Sequence, residues 1–323
     1  MAKEAGGQLK LISGRSHPKL AAQVAKRLGI KLCGVELADF ANGEIICRIN
    51  ESVRGDDVFV LQTHSPNVNA SIIEQALILD AAKRASARSV TAICPYLGYA
   101  RQDRKSRSRE PISARLIVDF LSRAGADRVI GIDLHTGQIQ GFFDGPFDHL
   151  VAMPIFVDRL KRLKMKDLVI VSPDAGRVKL AERYSGLLDC DMAIIHKNRQ
   201  SGNPRGPEMK YLIGNVKGKN CVIVDDMIDT AGTVCAAANL LSAKGAGKVY
   251  GVASHGIFSG DALSKVKSSA FEKVLVSDSL PQPHASGDSK IEVLSVAPLI
   301  ADAVSAIFNN RSVSALFGGH NHF

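Results

Sequence analysis

The chain has no tryptophan, and aromatic residues make up only 5% of its 323 positions. A surface for stacking the bases of single-stranded nucleic acid is therefore poorly supplied. The six cysteines, Cys33, Cys47, Cys94, Cys190, Cys221 and Cys235, form no CxxC pair and mostly sit in apolar runs. That argues against a zinc site or a disulfide frame and predicts buried free thiols in a reducing compartment. No run of about 18 uncharged apolar residues occurs, so a membrane-spanning helix is not expected. The first residues, MAKEAGGQLK, lack the apolar core and small-residue cleavage site of a secretory signal. A cytoplasmic protein with no membrane partner is the expectation.

What remains has the balance of a soluble globular chain, 46% hydrophobic and 23% charged. Its length favours two domains. The formal charge of +9 suits polyanions. With so few aromatics, small phosphorylated metabolites are favoured over nucleic acid. A nucleic-acid binder would instead show steeply salt-dependent duplex binding.

Short β-branched runs recur at Asp57–Gln62, Ser89–Cys94, Arg128–Asp133, Asp167–Ser172, Cys221–Asp225 and Lys248–Ser254. Helical patterns lie between or after them at Asn69–Ala87, Ala114–Ala124, Val178–Leu187, Thr233–Lys244 and Ala297–Phe308. Near-continuous apolar strands separated by helices predict an α/β protein with mostly parallel sheets covered on both faces. The halves resemble each other. Val53–Leu61 aligns with Val216–Val224, Val90 with Val249, and Lys19-Leu20-Ala21 with Lys179-Leu180-Ala181. An internal duplication follows, with only the second half carrying acids, Asp225-Asp226, where the first has Gln62-Thr63. The boundary is placed where Met153-Pro154 interrupts the pattern, giving domains 1–152 and 153–323, with the last helix free to pack on either. The tail Gly318–Phe323 is expected to fray.

The most informative stretch is Cys221–Thr233. An apolar strand runs into Asp225 and Asp226, and then Asp229-Thr230-Ala231-Gly232-Thr233 opens a helix. Unpaired N–H groups and the partial positive charge at a helix start suit a phosphate. Gly232 permits close backbone approach, and Thr230 and Thr233 add hydroxyl donors. Two acids at a strand's carboxyl end can accept hydrogen bonds from vicinal sugar hydroxyls, at the edge where open α/β sheets bind ligands. Together these residues describe a pocket for a ribose 5-phosphate unit. The stretch resembles the phosphoribosyl pyrophosphate binding motif of type I phosphoribosyltransferases.

A second signal follows the strand Ser89–Cys94. Six basic residues fall within Arg101–Arg109, interleaved with polar residues in a loop. Arginine forks suit phosphate oxygens, although composition alone also allows a solvated charge run. Taken with the phosphate loop, and with Phe40-Ala41-Asn42-Gly43-Glu44, Glu51–Gly55, Lys83–Ala87, Asp133-Leu134-His135, Gln138–Phe143, Ser172-Pro173-Asp174 and Ser312-Val313-Ser314, it gives the whole chain from about Ser13 to Phe317 a resemblance to the class I ribose-phosphate diphosphokinases.

That resemblance implies two phosphoribosyltransferase-like (type I) domains, each a mostly parallel sheet flanked by helices. It implies ATP and ribose 5-phosphate as substrates and Mg2+ as cofactor. Phe40, Asn42 and Glu44, supplied by a neighbouring subunit, would join Arg101, Gln102 and His135 at ATP. His135 and Asp174 match the metal positions. Lys197, Arg199 and Arg101 match the catalytic cations, with 200–207 as a flap. Ser52, Arg54, Arg107, Ser312 and Ser314 match a regulatory site for ADP and inorganic phosphate, in a hexamer built from dimers. The chain departs from the family pattern at Asn42 and His196, each usually an acid, at Leu97, commonly Tyr, and at Arg177, where a second glycine is common. At Arg177 either a clash or a phosphate or subunit contact is expected. The competing readings are a phosphoribosyltransferase that consumes the activated sugar and a catalytically silent regulatory subunit.

Overall fold

The computed structural model describes residues 7–198, 209–283 and 290–317. The chain divides into two compact units, Met1–Val151 with Ser279–Pro281 and Ser295–Phe323, and Ala152–Asp278 with Gln282–Leu294.

The first unit runs β1 (Leu9–Ser13), α1 (Pro18–Leu28), β2 (Val35–Asp39), β3 (Ile45–Ile49), β4 (Asp57–Leu61), α2 (Val68–Arg84), β5 (Ser89–Cys94), α3 (Ser113–Arg123), β6 (Arg128–Ile132) and β7 (Phe147–Leu150). Five strands form one sheet in the order β1-β4-β5-β6-β7, every pair parallel. β2 and β3 make a separate antiparallel ribbon. The apolar runs explain the sheet: all of β4 and the last five residues of β5 are buried, as strands covered on both faces must be. α1 shows its sequence signals directly. Pro18 opens it, His17 accepts the Leu20 amide, Lys26 and Arg27 lie in its last turn, and Gly29 ends it at φ +70°.

The second unit runs α4 (Met153–Arg162), β8 (Leu168–Ser172), α5 (Val178–Leu188), β9 (Asp191–Asn198), β10 (Met209–Ile213), β11 (Asn220–Ile228), α6 (Gly232–Ala243), β12 (Val249–Gly256), α7 (Ala262–Ser268), β13 (Phe271–Ser277) and β14 (Ile291–Leu294). Its seven strands follow the order β10-β9-β8-β11-β12-β13-β14. All neighbours are parallel except β10 against β9. Met153 and Pro154, at the expected boundary, begin α4, as proline in a first turn can. The last helix, α8 (Ala297–Phe308), belongs to the first unit and packs on α1, while α4 packs on α5.

The two sheets share a frame. β1-β4-β5-β6-β7 and β8-β11-β12-β13-β14 have the same order, direction and intervening helices. The aligned stretches also share their turn. The Asp56 amide donates to Val53 O at 3.1 Å and the Lys219 amide to Val216 O at 3.0 Å. Gly55 and Gly218 follow the same path at φ +75° and +73°, where a side chain would be strained. No helix among the described residues is long and apolar enough to cross a membrane. All six cysteines are free thiols, four of them buried.

Candidate active site

In the second unit β11 carries its apolar run, Cys221–Val224, through the buried centre of the sheet and delivers Asp225 and Asp226 at its carboxyl end. The chain then turns through Asp229 and Thr230. Ala231, at φ +59° and ψ 1°, caps α6 in the left-handed region, a conformation that costs an alanine of order 1 kcal/mol or more. Gly232 and Thr233 follow as the exposed first residues of that 12-residue helix. A Cβ built at Gly232 meets nothing within 4 Å, so the space in front of these amides is open. A second loop, not singled out in the sequence, backs this turn. The Ile257 and Phe258 amides donate to Ile228 O at 2.9 and 3.1 Å, and the Ser259 amide donates to Asp229 O at 3.0 Å. The arrangement offers helix-start donors for a phosphate and, one turn earlier, a pair of carboxylates for hydroxyls.

Those carboxylates are engaged by Arg177. Its Nε donates to Asp225 Oδ1 at 2.8 Å, and its Nη2 lies 2.6 Å from Asp226 Oδ1. Arg177 thus does not clash; its guanidinium pairs with the acids of its own unit. Burial and the adjacent Asp226 charge push Asp225 above the usual carboxylate range, with Arg177 pulling in the opposite direction. Asp174 ends the neighbouring strand's loop, where its carboxylate accepts the Gly176 amide at 2.9 Å. Lys197 lies in β9, and Arg199 and the flap 200–207 lie outside the described residues, as does the tail 318–323.

In the first unit the loops leaving β5 and β6 carry Arg101, Gln102, Arg107 and His135. Arg101 and Gln102 border a cavity of about 520 Å³ with Val68, Tyr96 and Tyr99. Tyr99 is held at φ +63°. Gln102 is fixed by three contacts: its amide donates to Tyr99 O at 2.9 Å, its carbonyl accepts the Ala114 amide at 3.1 Å, and its Oε1 accepts the Ser113 hydroxyl at 2.7 Å. The rest of the basic loop is exposed and irregular, anchored where Glu110 accepts the Ser106 and Arg107 amides at 2.9 Å. It is also anchored where Asp103 accepts the Thr136 hydroxyl at 2.7 Å, beside His135. Asp103 was not legible as an anchor, because its partner is 33 residues away.

Beneath this loop sits a sealed network. His64 is fully buried. Its Nδ1 accepts the Gly98 amide at 2.9 Å and its Nε2 lies 2.8 Å from Gln75 Oε1. Gln75 in turn donates to Val60 O and Ile93 O, each at 3.2 Å. Burial lowers the His64 imidazole to about 4. The His149 ring is a further brace, accepting the Leu134 amide at 2.8 Å next to Asp133, which is held at φ +38°. Tyr99, Asp133 and Ala231, in loops after strand carboxyl ends, are three of ten non-glycine residues held at positive φ among the described residues.

Phe40 is 54% exposed on the turn between β2 and β3, so it is not a core aromatic. The turn is closed by the Phe40 amide to Glu44 O and the Gly43 amide to Phe40 O, both 2.8 Å, and Asn42 Oδ1 accepts the Glu44 amide at 3.2 Å. Ser52, Arg54, Arg107, Ser312 and Ser314 all lie in the first unit, largely exposed, with the Ser312 and Ser314 hydroxyls 2.8 Å apart. Among the described residues, no three His, Cys, Asp or Glu side chains gather as a metal cage. His135, after β6 in the first unit, carries an imidazole, and Asp174, after β8 in the second, a carboxylate, each a donor type that a divalent ion can take.

A model described as the N-terminal domain of ribose phosphate pyrophosphokinase matches residues 9–125, and one described as a phosphoribosyl synthetase-associated domain matches residues 203–318. The ribose-phosphate pyrophosphokinase of Streptomyces avermitilis is 50% identical over 96% of this chain and 96% of its own length. That of Bacillus caldolyticus is 46% identical over 96% of this chain and 98% of its own. The crystal structure of phosphoribosylpyrophosphate synthetase from Mycobacterium smegmatis matches with a TM-score of 0.89 at 46% identity, covering 94% of this chain and 99% of that one. With matches spanning both units and nearly its full length, the chain belongs to the ribose-phosphate pyrophosphokinase family.

Proposed function

We infer that this chain is a ribose-phosphate pyrophosphokinase that moves the β,γ-diphosphoryl group of ATP to the C1 hydroxyl of ribose 5-phosphate, giving phosphoribosyl pyrophosphate and AMP. The observation that carries the reading is the end of β11. There an acidic pair is followed by an open helix start, which suits a sugar diol and its 5-phosphate.

In the transfer, the sugar's O1 bonds to the β-phosphorus. The bond from that phosphorus to the oxygen bridging it to the α-phosphate breaks, AMP leaves with the electron pair, and the hydroxyl proton is released. Such a reaction asks for in-line positioning and charge stabilisation. Asp225 and Asp226 accept the sugar hydroxyls, and the amides and hydroxyls of Asp229–Thr233 hold the 5-phosphate. Arg101, Lys197 and Arg199 carry positive charge for the transferring phosphates. Phe40, Asn42, Glu44, Gln102 and His135 serve the nucleotide. We read the divalent ion as magnesium; His135 and Asp174 are the residues that the family resemblance would give it, and when bound it would neutralise charge on the phosphates.

Phe40 exposed at a hairpin tip supports a role toward a neighbouring chain, and we take the assembly, as the resemblance implies, to be a hexamer built from dimers. Ser52, Arg54, Arg107, Ser312 and Ser314 then take ADP and inorganic phosphate as effectors. Six free thiols suit the reducing cytoplasm.

The test is direct. Purified protein with magnesium, ATP and ribose 5-phosphate should release AMP in step with phosphoribosyl pyrophosphate. No AMP would refute the reading in favour of a regulatory subunit, and consumption of phosphoribosyl pyrophosphate with a base would favour a phosphoribosyltransferase.

A further inference from the structure

The equivalent strand ends of the two sheets are braced by different chemistry. In the first unit, the turn after β1 meets the end of β4 through neutral groups. The Ser16 amide and hydroxyl donate to Gln62 Oε1 at 3.1 and 2.5 Å. In the second unit, the turn after β8 meets the end of β11 through Arg177, whose single guanidinium contacts both Asp225 and Asp226. The first unit's turn also carries an arginine, Arg15, but it pairs with Glu74 and Asp39 rather than with the strand end.

All three side chains are largely withdrawn from solvent, Arg177 at 19%, Asp225 at 16% and Asp226 at 8% exposure. Two buried carboxylates on consecutive residues repel each other, and that repulsion favours protonation or a splayed pair. The fork of Arg177 reaches one oxygen of each acid, and Asp225 Oδ1 also accepts the Asp226 amide at 2.9 Å. Arg177 is itself set in place, ending a short 3-10 turn capped by Asp174 and directly preceding α5. A rigid, planar, always-charged fork is suited to bridging two acids; an ammonium is not.

We propose that Arg177 is a positioning residue for sugar binding: by bridging Asp225 and Asp226 it holds the two carboxylates side by side as acceptors for the vicinal hydroxyls of a ribose phosphate. The proposal rests on the sugar-site reading above. It differs in sign from a latch, in which the sugar would have to displace Arg177 before binding.

The experiment compares wild type, Arg177→Met, Arg177→Lys and Asp226→Asn, alone and combined with Arg177→Met, in steady-state AMP release with each substrate varied. Far-UV circular dichroism of each variant serves as the fold check. Arg177→Met should raise KM for ribose 5-phosphate about tenfold or more and leave KM for ATP within about twofold. Arg177→Lys should recover part of the loss, since a point charge can pair with one acid. In the Asp226→Asn background, removing Arg177 should cost much less than in wild type, because the two act as a unit. An unchanged or lowered KM for ribose 5-phosphate, or equal rises for both substrates, overturns the proposal. Should the Met variant fail to fold, the Lys variant carries the test, and an unchanged sugar KM there overturns it too. A wild type that releases no AMP overturns the sugar-site reading and the proposal with it. An active wild type with an indifferent variant overturns the proposal alone.

Discussion

Acid should loosen the first unit through His64, and the geometry says by how much. The Gly98 amide can only donate, so Nδ1 must accept. Gln75 uses its amide nitrogen on Val60 O and Ile93 O, so its oxygen faces Nε2, which must carry the hydrogen. The ring is thereby fixed as the neutral Nε2–H tautomer. A second proton would set one N–H against another inside a fully buried site. Burial accordingly holds the imidazole near 4 against an ordinary 6.5.

Below about pH 6.5 the unfolded chain takes up a proton that the folded chain refuses. Stability from this group is therefore full above that value and is lost as pH falls toward 4. At about 1.4 kcal/mol per pH unit, the gap from 6.5 to about 4 is worth on the order of 3 kcal/mol. Carboxylates also titrate in this range, so the informative quantity is a difference between wild type and the non-titrating His64→Gln. Urea unfolding followed by far-UV circular dichroism suits a chain without tryptophan. The stability difference, wild type minus variant, should shrink by about 3 kcal/mol between pH 7 and pH 4. A difference that stays constant across that range would refute the reasoning, because it would mean the ring titrates alike folded and unfolded. Since Gly98 begins the loop that presents Arg101 and Gln102, KM for ATP should rise in the variant more than KM for ribose 5-phosphate.

Other outcomes follow from the same geometry. Gly98→Ala would place its Cβ 2.8 Å from Val68 Cγ1 and 3.1 Å from His64 Cβ, so KM for ATP should rise several-fold with the sugar constants unmoved. Gly232→Ala meets nothing within 4 Å, so its thermal midpoint should hold or rise slightly. A methyl in front of the helix amides should nevertheless raise KM for ribose 5-phosphate by about tenfold or more. Lys197→Ala should lower turnover by orders of magnitude with ATP affinity nearly unchanged, and equal losses in both would assign it to binding. Iodoacetamide at neutral pH should modify Cys47 and Cys190 before the buried thiols, since burial pushes Cys33 and Cys94 up to about 12 and Cys221 to about 11. Peptide mass spectrometry would read the order.

The strands that sequence patterning recovered well are the ones buried on both faces. Ser89–Cys94 coincides with β5, and Asp57–Gln62 and Arg128–Asp133 each overrun their strand by one residue. β11 extends three residues beyond Asp225, to Ile228, because the acids themselves are extended. Elements with weaker patterns were missed. β1 carries Lys10 in a five-residue strand, β2 and β3 are half-exposed, and β7 has only four residues. The loop Asp225–Thr233 stands out in the sequence because its nine residues are contiguous. The groups that brace it, and those that brace the loop carrying Arg101, do not. Arg177 is 48 residues from Asp225, and Gly98 is 34 from His64. A lone arginine or histidine in the sequence carries no mark of such a partner.

The shared frame explains where a ligand can bind but not why the sugar-site reading selects the second unit. Both sheets bring their second strand to the same edge, and the first ends in Gln62-Thr63-His64, all at 1% exposure or less. Gln62 accepts from Ser16 and donates to Glu74 Oε1 at 2.7 Å, Thr63 donates to Ser279 O at 2.7 Å, and His64 is closed by Gly98 and Gln75. Its side-chain hydrogen bonds are spent on the protein itself. At β11 the same edge presents two acids beside a helix start with open space before it. If the halves descend from one unit, then on the sugar-site reading recognition was kept or lost at two residues per strand end, while the burial pattern that builds the sheet stayed in place. Function here is set by the side chains that close or leave open one strand edge, on a frame indifferent to the choice.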